Sequence, residues 1–372
     1  MSANAHAELR VVIAGGGTGG HLYPGIAVAR ELLAQRPGAT VTFAGTRQGI
    51  EARVVPREGF ELDTIRSGGL KGKSLADRAR GASLVPLGML DAWGLVSRRR
   101  PHLVMGVGGY SSGPVVLTAA LRGVPTLLLE QNAVPGLTNR LLSRVVRAAA
   151  VTYDETRAFF GSKAFVSGNP VRAEFVNTER GVPVGTVDTK ASGVGVLVFG
   201  GSQGAHALNL AMVEAASHLV AMGGGIRLTH QTGERDLQMV RDGYAAAGLQ
   251  AEVEPFLYDM GTRLAEADVV VCRAGATTLA ELMAAGKCAV LIPLPTATDD
   301  HQRKNADVLA AAGAAEVLLQ RDLTGTVLAG RIAGLAADAE TRRRMGQAAR
   351  TLARPDAAKV IVARALELAG GR

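Results

Sequence analysis

The apolar residues of this chain come in short, nearly continuous runs separated by longer amphipathic stretches. Residues 9–14 form one run, 40–44 a second, and 103–107, 126–129 and 148–151 follow. Short runs without strict alternation predict strands covered on both faces, as in a parallel sheet layered between helices. The stretches between them, such as 21–34, repeat apolar residues at helical spacing. Strand and helix therefore alternate, which gives βαβ units and an α/β, doubly wound sheet. The pattern then starts again, with strands expected at 195–199, 226–230, 269–272 and 289–294 and a helix at 209–220. A length of 372 residues accommodates two such domains. Pro170, inside Gly168-Asn169-Pro170-Val171-Arg172, ends regular structure, so the expected domains are 1–168 and 169–355. A segment with few apolar anchors, 181–193, follows that boundary.

Glycine punctuates the pattern. The chain has 47 glycines against 14 prolines, and they cluster after apolar runs instead of forming linker tracts. Three turns share one logic: Gly15-Gly16-Gly17-Thr18-Gly19-Gly20, Gly106-Val107-Gly108-Gly109 and Gly200-Gly201-Ser202-Gln203-Gly204. Each ends a strand and starts a helix, aiming backbone N–H groups and the positive end of a helix at one point. That builds a phosphate or diphosphate site without a cation, although the same glycines also permit close helix–strand packing. Gly15, Gly17 and Gly20 fit the dinucleotide fingerprint, which expects an acidic residue at the end of the second strand. Here that strand ends Ala44-Gly45-Thr46-Arg47, so NAD is disfavoured and Arg47 leaves only an opening for NADP.

Several side chains are candidates for chemistry. Glu281 follows Arg273-Ala274-Gly275-Ala276-Thr277-Thr278-Leu279-Ala280 near the start of a helix. A carboxylate there can accept both hydroxyls of a ribose; equally, Thr278-x-x-Glu281 reads as a capping box. His21 falls in the first helical turn after the first glycine cluster. The positive helix end would keep its imidazole neutral and usable as a base, while a structural cap is the plainer reading. His301 and Gln302 lie on the loop after a strand, where doubly wound sheets bind ligands. Asp299-Asp300 reads better as a solvated turn than as a metal pair. No His/Cys cluster has ligand spacing, so neither a protein-held metal nor another cofactor is expected.

Composition narrows the classes. Apolar residues make up 47% and charged residues 20%, which excludes disorder and collagen-like repeats. Cys272 and Cys288 sit in strand runs and read as buried and reduced. No secretory signal is expected, and the uncharged stretch 101–121 is broken by Gly106, Gly108, Gly109, Gly113 and Pro114, so it is not a membrane span. The net charge is +8, and eight Lys/Arg fall between Arg66 and Arg100 against Asp77 and Asp91. Such a patch suggests an anionic surface. At 4% aromatic residues, base-stacking platforms and a nucleic-acid partner are disfavoured. Leu84, Leu87, Leu90 and Trp93 recur inside the basic segment at steps of three, each lagging about 60° around a helix. They spread around the cylinder, so part of that helix belongs to the core and part is free for a membrane edge.

Taken in order along residues 10–310, these segments resemble the peptidoglycan N-acetylglucosaminyltransferases of glycosyltransferase family 28, which convert lipid I to lipid II. The resemblance is carried by 16–25, 106–114, Glu130-Gln131-Asn132, 136–139, 168–172, 200–205, 273–281 and Asp300-His301-Gln302. It implies a GT-B fold, two Rossmann-like doubly wound parallel-sheet domains facing across a cleft, with 356–372 as a helix packing back on the first domain. It implies an inverting transfer of N-acetylglucosamine from UDP-N-acetylglucosamine to lipid I. The matching donor positions are Thr18, Gly19, Gly20, Asn132, Arg172, Ser202, Ala276, Thr277, Thr278, Leu279, Ala280, Glu281 and Gln302, with Glu281 at the ribose. The acceptor diphosphate would meet Gly17, His21, Gly108, Gly109 and Tyr110, with His21 as base. A peripheral position at the cytoplasmic face of an anionic membrane, and partners in the cell-wall and division machinery, are also implied. Relatives carry a His before the Glu-Gln-Asn segment, where this chain has Leu129. The alternative on the same fold is another nucleotide-sugar enzyme, a lipid glycosyltransferase or a UDP-N-acetylglucosamine 2-epimerase.

Overall fold

The computed structural model describes residues 9–68, 75–176, 193–201, 204–223 and 225–370. The chain divides into two compact units, Met1–Arg172 with Arg354–Arg372, and Ala173–Ala353. The first break thus falls between Arg172 and Ala173, and residues 169–172, expected to open the second domain, belong to the first unit.

The first unit is built on a seven-stranded parallel sheet. Its strands are β1 (Arg10–Gly15), β2 (Thr40–Gly45), β3 (Glu61–Thr64), β4 (Leu103–Gly108), β5 (Thr126–Glu130), β6 (Ala148–Val151) and β7 (Ala164–Val166), in the order β3-β2-β1-β4-β5-β6-β7. In register, Val11 lies opposite Val41 on one side and Leu103 on the other. Alternate residues of β1 face opposite layers, and both layers are apolar. Val11 and Ile13 join Leu22, Ile26 and Leu32 of the helix Gly19–Gln35, together with Ile361 and Val362 of the helix Ala357–Gly370. Val12 and Ala14 join Val115 and Val116 of Ser112–Leu121 and Ala92, Leu95 and Val96 of Leu75–Arg99. Each fully buried Val, Leu or Ile contributes roughly 1.5–3 kcal/mol, so neither layer is dispensable.

The second unit repeats the plan with six parallel strands: β8 (Val194–Phe199), β9 (Ile226–Gln231), β10 (Ala251–Glu254), β11 (Val269–Cys272), β12 (Cys288–Leu291) and β13 (Ala315–Val317), in the order β10-β9-β8-β11-β12-β13. One layer packs Val196, Val198, Val269 and Val271 against Leu208, Met212 and Leu219 of His206–Ala221 and Leu328 and Ile332 of Gly325–Ala337. The intervening positions Leu197, Val270 and Ala289 are buried too. β12 stops at Leu291, short of the expected 294; Pro293 lacks the N–H that a ladder needs.

Strand order reverses between β1 and β4 in one sheet and between β8 and β11 in the other. In doubly wound sheets the crevice beyond the carboxyl ends of such a pair is the ligand site. The glycine turns stand at these two places.

Candidate functional site

In the first unit the turns after β1 and β4 touch backbone to backbone. A Cβ on Gly15 would collide with the Gly108 carbonyl, and one on Gly109 with the Gly16 carbonyl. Gly16 N–H donates to Gly108 O at 3.3 Å. Gly16, Gly17, Gly108 and Gly109 all have positive φ, at 151°, 84°, 97° and 80°. Glycine is therefore required there by conformation, and at Gly16, Gly108 and Gly109 by space as well. The helix Gly19–Gln35 starts directly after, with Thr18 at its N-cap but no side-chain cap bond. His21 Nδ1 lies 3.3 Å from Thr18 Oγ1, and its ring covers Gly108 closely enough that a Cβ there would meet it at 2.8 Å. Thr18, Gly19, Gly20, His21, Gly108 and Gly109 are thus brought together at the β1/β4 crevice, with Tyr110 exposed just beyond.

Gly17 N–H donates to Glu51 Oε2 at 2.9 Å. Glu51 was not among the expected functional residues.

Asn132 is held by Glu130. Both its backbone N–H and its Nδ2 donate to Glu130 Oε1, at 3.0 and 3.2 Å, while Gly136 N–H and Asn139 Nδ2 donate to Oε2 at 3.1 and 2.9 Å. Gln131 Nε2 reaches back to Val107 O at 3.0 Å, which sets this loop beside the end of β4. Arg172 stacks its guanidinium over the Tyr23 ring, 5.2 Å from the centroid, within the first unit. The sequence had placed it in the donor domain.

In the second unit, Gly201 and Gly204 shape the turn after β8 with φ of 96° and 73°. A Cβ on Gly204 would collide with the Thr232 carbonyl, and Gln231 Nε2 donates to Gly201 O at 2.9 Å. Ser202 lies outside the described residues. Beneath the turn is a polar chain, buried except for His206, that the sequence did not reveal. Asn209 Nδ2 donates to Thr232 O at 2.9 Å and Asp236 Oδ2 at 2.8 Å, and Asn209 Oδ1 lies 3.1 Å from His230 Nε2. His230 Nδ1 is 2.7 Å from the Tyr244 hydroxyl, and His206 Nδ1 is 2.9 Å from Asp236. Burial pushes the His230 imidazole down to about 3, so it stays neutral. Asp236 is held below the usual carboxylate range: burial pushes it up, and bonds from His206 and Asn209 outweigh this.

The helix Ala276–Ala285 follows β11. Its N-cap is Gly275, with no side-chain cap bond, so Thr278 stands inside the helix and the capping-box account of Glu281 falls. Glu281 is only 8% exposed, beside the carboxyl end of β11. Ala276, Leu279 and Ala280 are buried and Thr277 and Thr278 half-buried. Leu279 N–H is spent on Gly275 O at 3.0 Å, so that amide is not offered to a ligand. Gln302, in the first turn of His301–Ala311, accepts Leu294 N–H at 3.0 Å through Oε1. Arg273 braces the same loop by donating to Ile292 O at 3.1 Å and Gln320 Oε1 at 2.7 Å. Asp299 and Asp300 occupy left-handed backbone at φ 54° and 55°. Among the described residues no group of three or more His, Cys, Asp or Glu is placed to hold a metal ion.

The basic segment has a mixed character. On Leu75–Arg99, Ala92, Leu95 and Val96 are buried, while Leu90 is 66% and Trp93 55% exposed, with Val85 and Leu87 also outward. Arg122 stacks on Trp93 at 4.8 Å. Much of the positive charge is locally matched: Arg98 and Arg99 both pair with Asp63, at 2.9 and 2.7 Å, and Arg66 with Asp91 at 2.7 Å. Lys71 and Lys73 lie outside the described residues, as do the side chains of Arg78 and Arg80. No helix among the described residues is long and apolar enough to cross a membrane.

The chain matches the models of the glycosyltransferase family 28 N-terminal domain over residues 11–151 and C-terminal domain over 195–361. It is 47% identical over 361 residues to the UDP-N-acetylglucosamine–N-acetylmuramyl-(pentapeptide) pyrophosphoryl-undecaprenol N-acetylglucosamine transferase of Anaeromyxobacter sp. (strain K), covering 97% of this chain and 93% of that one. The crystal structure of Acinetobacter baumannii MurG superposes with a TM-score of 0.77 at 31% identity, over 96% of this chain and 99% of that one. A UDP-GlcNAc 2-epimerase from Neisseria meningitidis superposes at 0.70 over 96% of this chain and 100% of that one, but at 12% identity it speaks to fold alone.

Proposed function

Because the chain belongs to glycosyltransferase family 28, we propose that it moves N-acetylglucosamine from UDP-N-acetylglucosamine to the 4-hydroxyl of lipid I, giving lipid II. The observation that carries this is the near-full-length identity to a transferase of that description, joined to glycine turns at both sheet switch points. In this reading the second unit holds the donor. Glu281 accepts the ribose hydroxyls, Ser202 and the Gly200–Gly204 turn meet the diphosphate, and Ala276, Thr277, Thr278, Ala280 and Gln302 line the rest. Thr18, Gly19, Gly20, Asn132 and Arg172 are further donor contacts. Gly108, Gly109, Tyr110 and His21 serve the acceptor.

The 4-hydroxyl oxygen attacks the anomeric carbon as the bond to UDP breaks, which inverts that centre and leaves a β-1,4 link. Negative charge grows on the departing diphosphate. One helix N-terminus supplies about 0.3–2 kcal/mol, so helix ends, backbone N–H groups and Arg172 must act together. The hydroxyl proton passes to His21, which stands in the first turn of Gly19–Gln35.

We further propose that the exposed Val85, Leu87, Leu90 and Trp93 rest on the cytoplasmic face of an anionic membrane, where the acceptor's lipid lies, so that the protein is peripheral and neighbours the cell-wall and division machinery. The test is transfer of labelled N-acetylglucosamine to a lipid I analogue, with other UDP-sugars as controls. Label recovered as free sugar, without a glycosylated lipid, would instead indicate an epimerase.

A further inference from the structure

We infer that Glu51 is a positioning residue of this transferase, a buried carboxylate that sets the shape of the first glycine turn and, through it, the place of Gly108, Gly109 and His21. The inference rests on the transfer reading above, in which those groups serve the acceptor.

Glu51 is 1% exposed and opens the helix Glu51–Arg57, so its carboxylate sits at that helix's positive end. Oε2 accepts Gly17 N–H at 2.9 Å; Oε1 accepts both the backbone N–H and the hydroxyl of Thr46, each at 2.8 Å. The Thr46 oxygen in turn accepts Gly49 N–H at 3.1 Å. Three glycines from separate places clear the space. A Cβ on Gly16, Gly45 or Gly49 would in each case run into the Glu51 side chain. The end of β1, the end of β2 and the loop before the helix thus converge on one carboxylate.

The carboxylate occupies the Gly17 N–H, so that one amide serves the turn's own shape. The arrangement suits a turn held as a template. Charge-assisted bonds are shorter and about twice as strong as neutral ones, and this one fixes Gly17 at φ 84° next to Gly16 at 151°. Gly16 then presents its N–H to Gly108 and its carbonyl against Gly109. His21 in turn lies over Gly108. The path from Glu51 to the proposed base runs through Gly17, Gly16 and Gly108.

The test uses the full-length protein and the variants E51Q and G49A. In E51Q an amide NH₂ must face either the Gly17 or the Thr46 N–H, so the turn has to move. In G49A the charge remains and only its seat is displaced. Steady-state transfer to a lipid I analogue, calorimetric binding of UDP and thermal melting are measured on each. Expected for both variants is a kcat lower by about 10-fold to 100-fold, with UDP still bound because Glu281 and the Gly200–Gly204 turn are untouched. Should E51Q not fold, G49A decides alone. A variant that melts earlier yet keeps kcat and the acceptor KM within about twofold would show that Glu51 serves folding only, and would overturn the inference. Wild-type protein that binds UDP but transfers nothing to lipid I would instead sink the transfer reading, and this inference with it.

Discussion

Replacing Asn209 by alanine removes three hydrogen bonds from the interior of the second unit: those to Thr232 O, to Asp236 Oδ2 and with His230 Nε2. Asn209 and His230 are fully buried and Thr232 nearly so, so water cannot replace what is lost. A paired hydrogen bond contributes a net ~1 kcal/mol, but a buried partner left unpaired costs ~1–3 kcal/mol. Asp236 keeps His206, which leaves His230 and the Thr232 carbonyl as the exposed losses. The expected destabilisation is about 3–5 kcal/mol. For a unit of this size each kcal/mol moves Tm by roughly 2–4 °C, so its transition should fall by about 10 °C. Differential scanning calorimetry of the full chain measures this. Asn209→Asp supplies a control with a sign. It sets a second carboxylate 2.8 Å from Asp236 in place of a donor, so its penalty should grow as pH rises and both tend to ionise. A Tm loss under about 2 °C for Asn209→Ala would refute the claim that this chain of polar groups is sealed. Because Thr232 O lies against the position of a Cβ on Gly204, the same variant should also weaken UDP binding.

Glu281→Ala should raise the donor KM about 10-fold to 100-fold, since hydrogen bonds to a charged group are worth ~1.5–3 kcal/mol; an unchanged KM with an earlier melt would deny it a ligand role. His21→Ala should lower kcat by about 10²–10⁴, and a retained turnover number would remove it as base. Asp63 is held below the usual carboxylate range: burial pushes it up, but bonds from Arg99 and Arg98 outweigh this. Its contribution is therefore present above the unfolded value of about 3.9 and is lost as pH falls through the lower folded value. Asp63→Asn should cost about 1 kcal/mol at pH 7, with the difference from wild type closing below pH 4. Freed of Asp63, Arg98 should bind anionic vesicles more tightly, by about 1 kcal/mol, while Arg99 keeps Glu61 at 2.8 Å; unchanged vesicle binding would show that Arg98 does not reach the lipid.

The interior strands could be read from sequence because they are covered on both faces and so appear as unbroken apolar runs. The strands that escaped, Glu61–Thr64, Ala164–Val166, Ala251–Glu254 and Ala315–Val317, are the four sheet edges. They are short, and two carry Glu or Asp between apolar residues, as edges exposed to solvent do. The glycine turns were legible for a similar reason: positive φ and close backbone approach admit little else. Neither Glu51 nor Asn209 was visible, because each matters through partners brought together only by folding. Gly45 and Gly49 were the available signal for Glu51, since glycines flanking a buried acid mark space kept for its carboxylate. Thr278-x-x-Glu281 misled because the spacing of a capping box recurs inside helices that begin elsewhere.

The helix Ala357–Gly370 belongs to the first unit's core, where Ile361 and Val362 share a layer with Leu22 and Leu32. Ribosomes therefore make the last piece of that unit only after the whole of Ala173–Ala353. At about 5–20 residues per second the amino-terminal sheet waits on the order of ten to forty seconds with one apolar flank unroofed. During that wait a chaperone has an exposed face to hold. Clipping that terminal helix from the finished protein should accordingly loosen the amino-terminal unit, distant in sequence, and spare the unit that immediately precedes the cut.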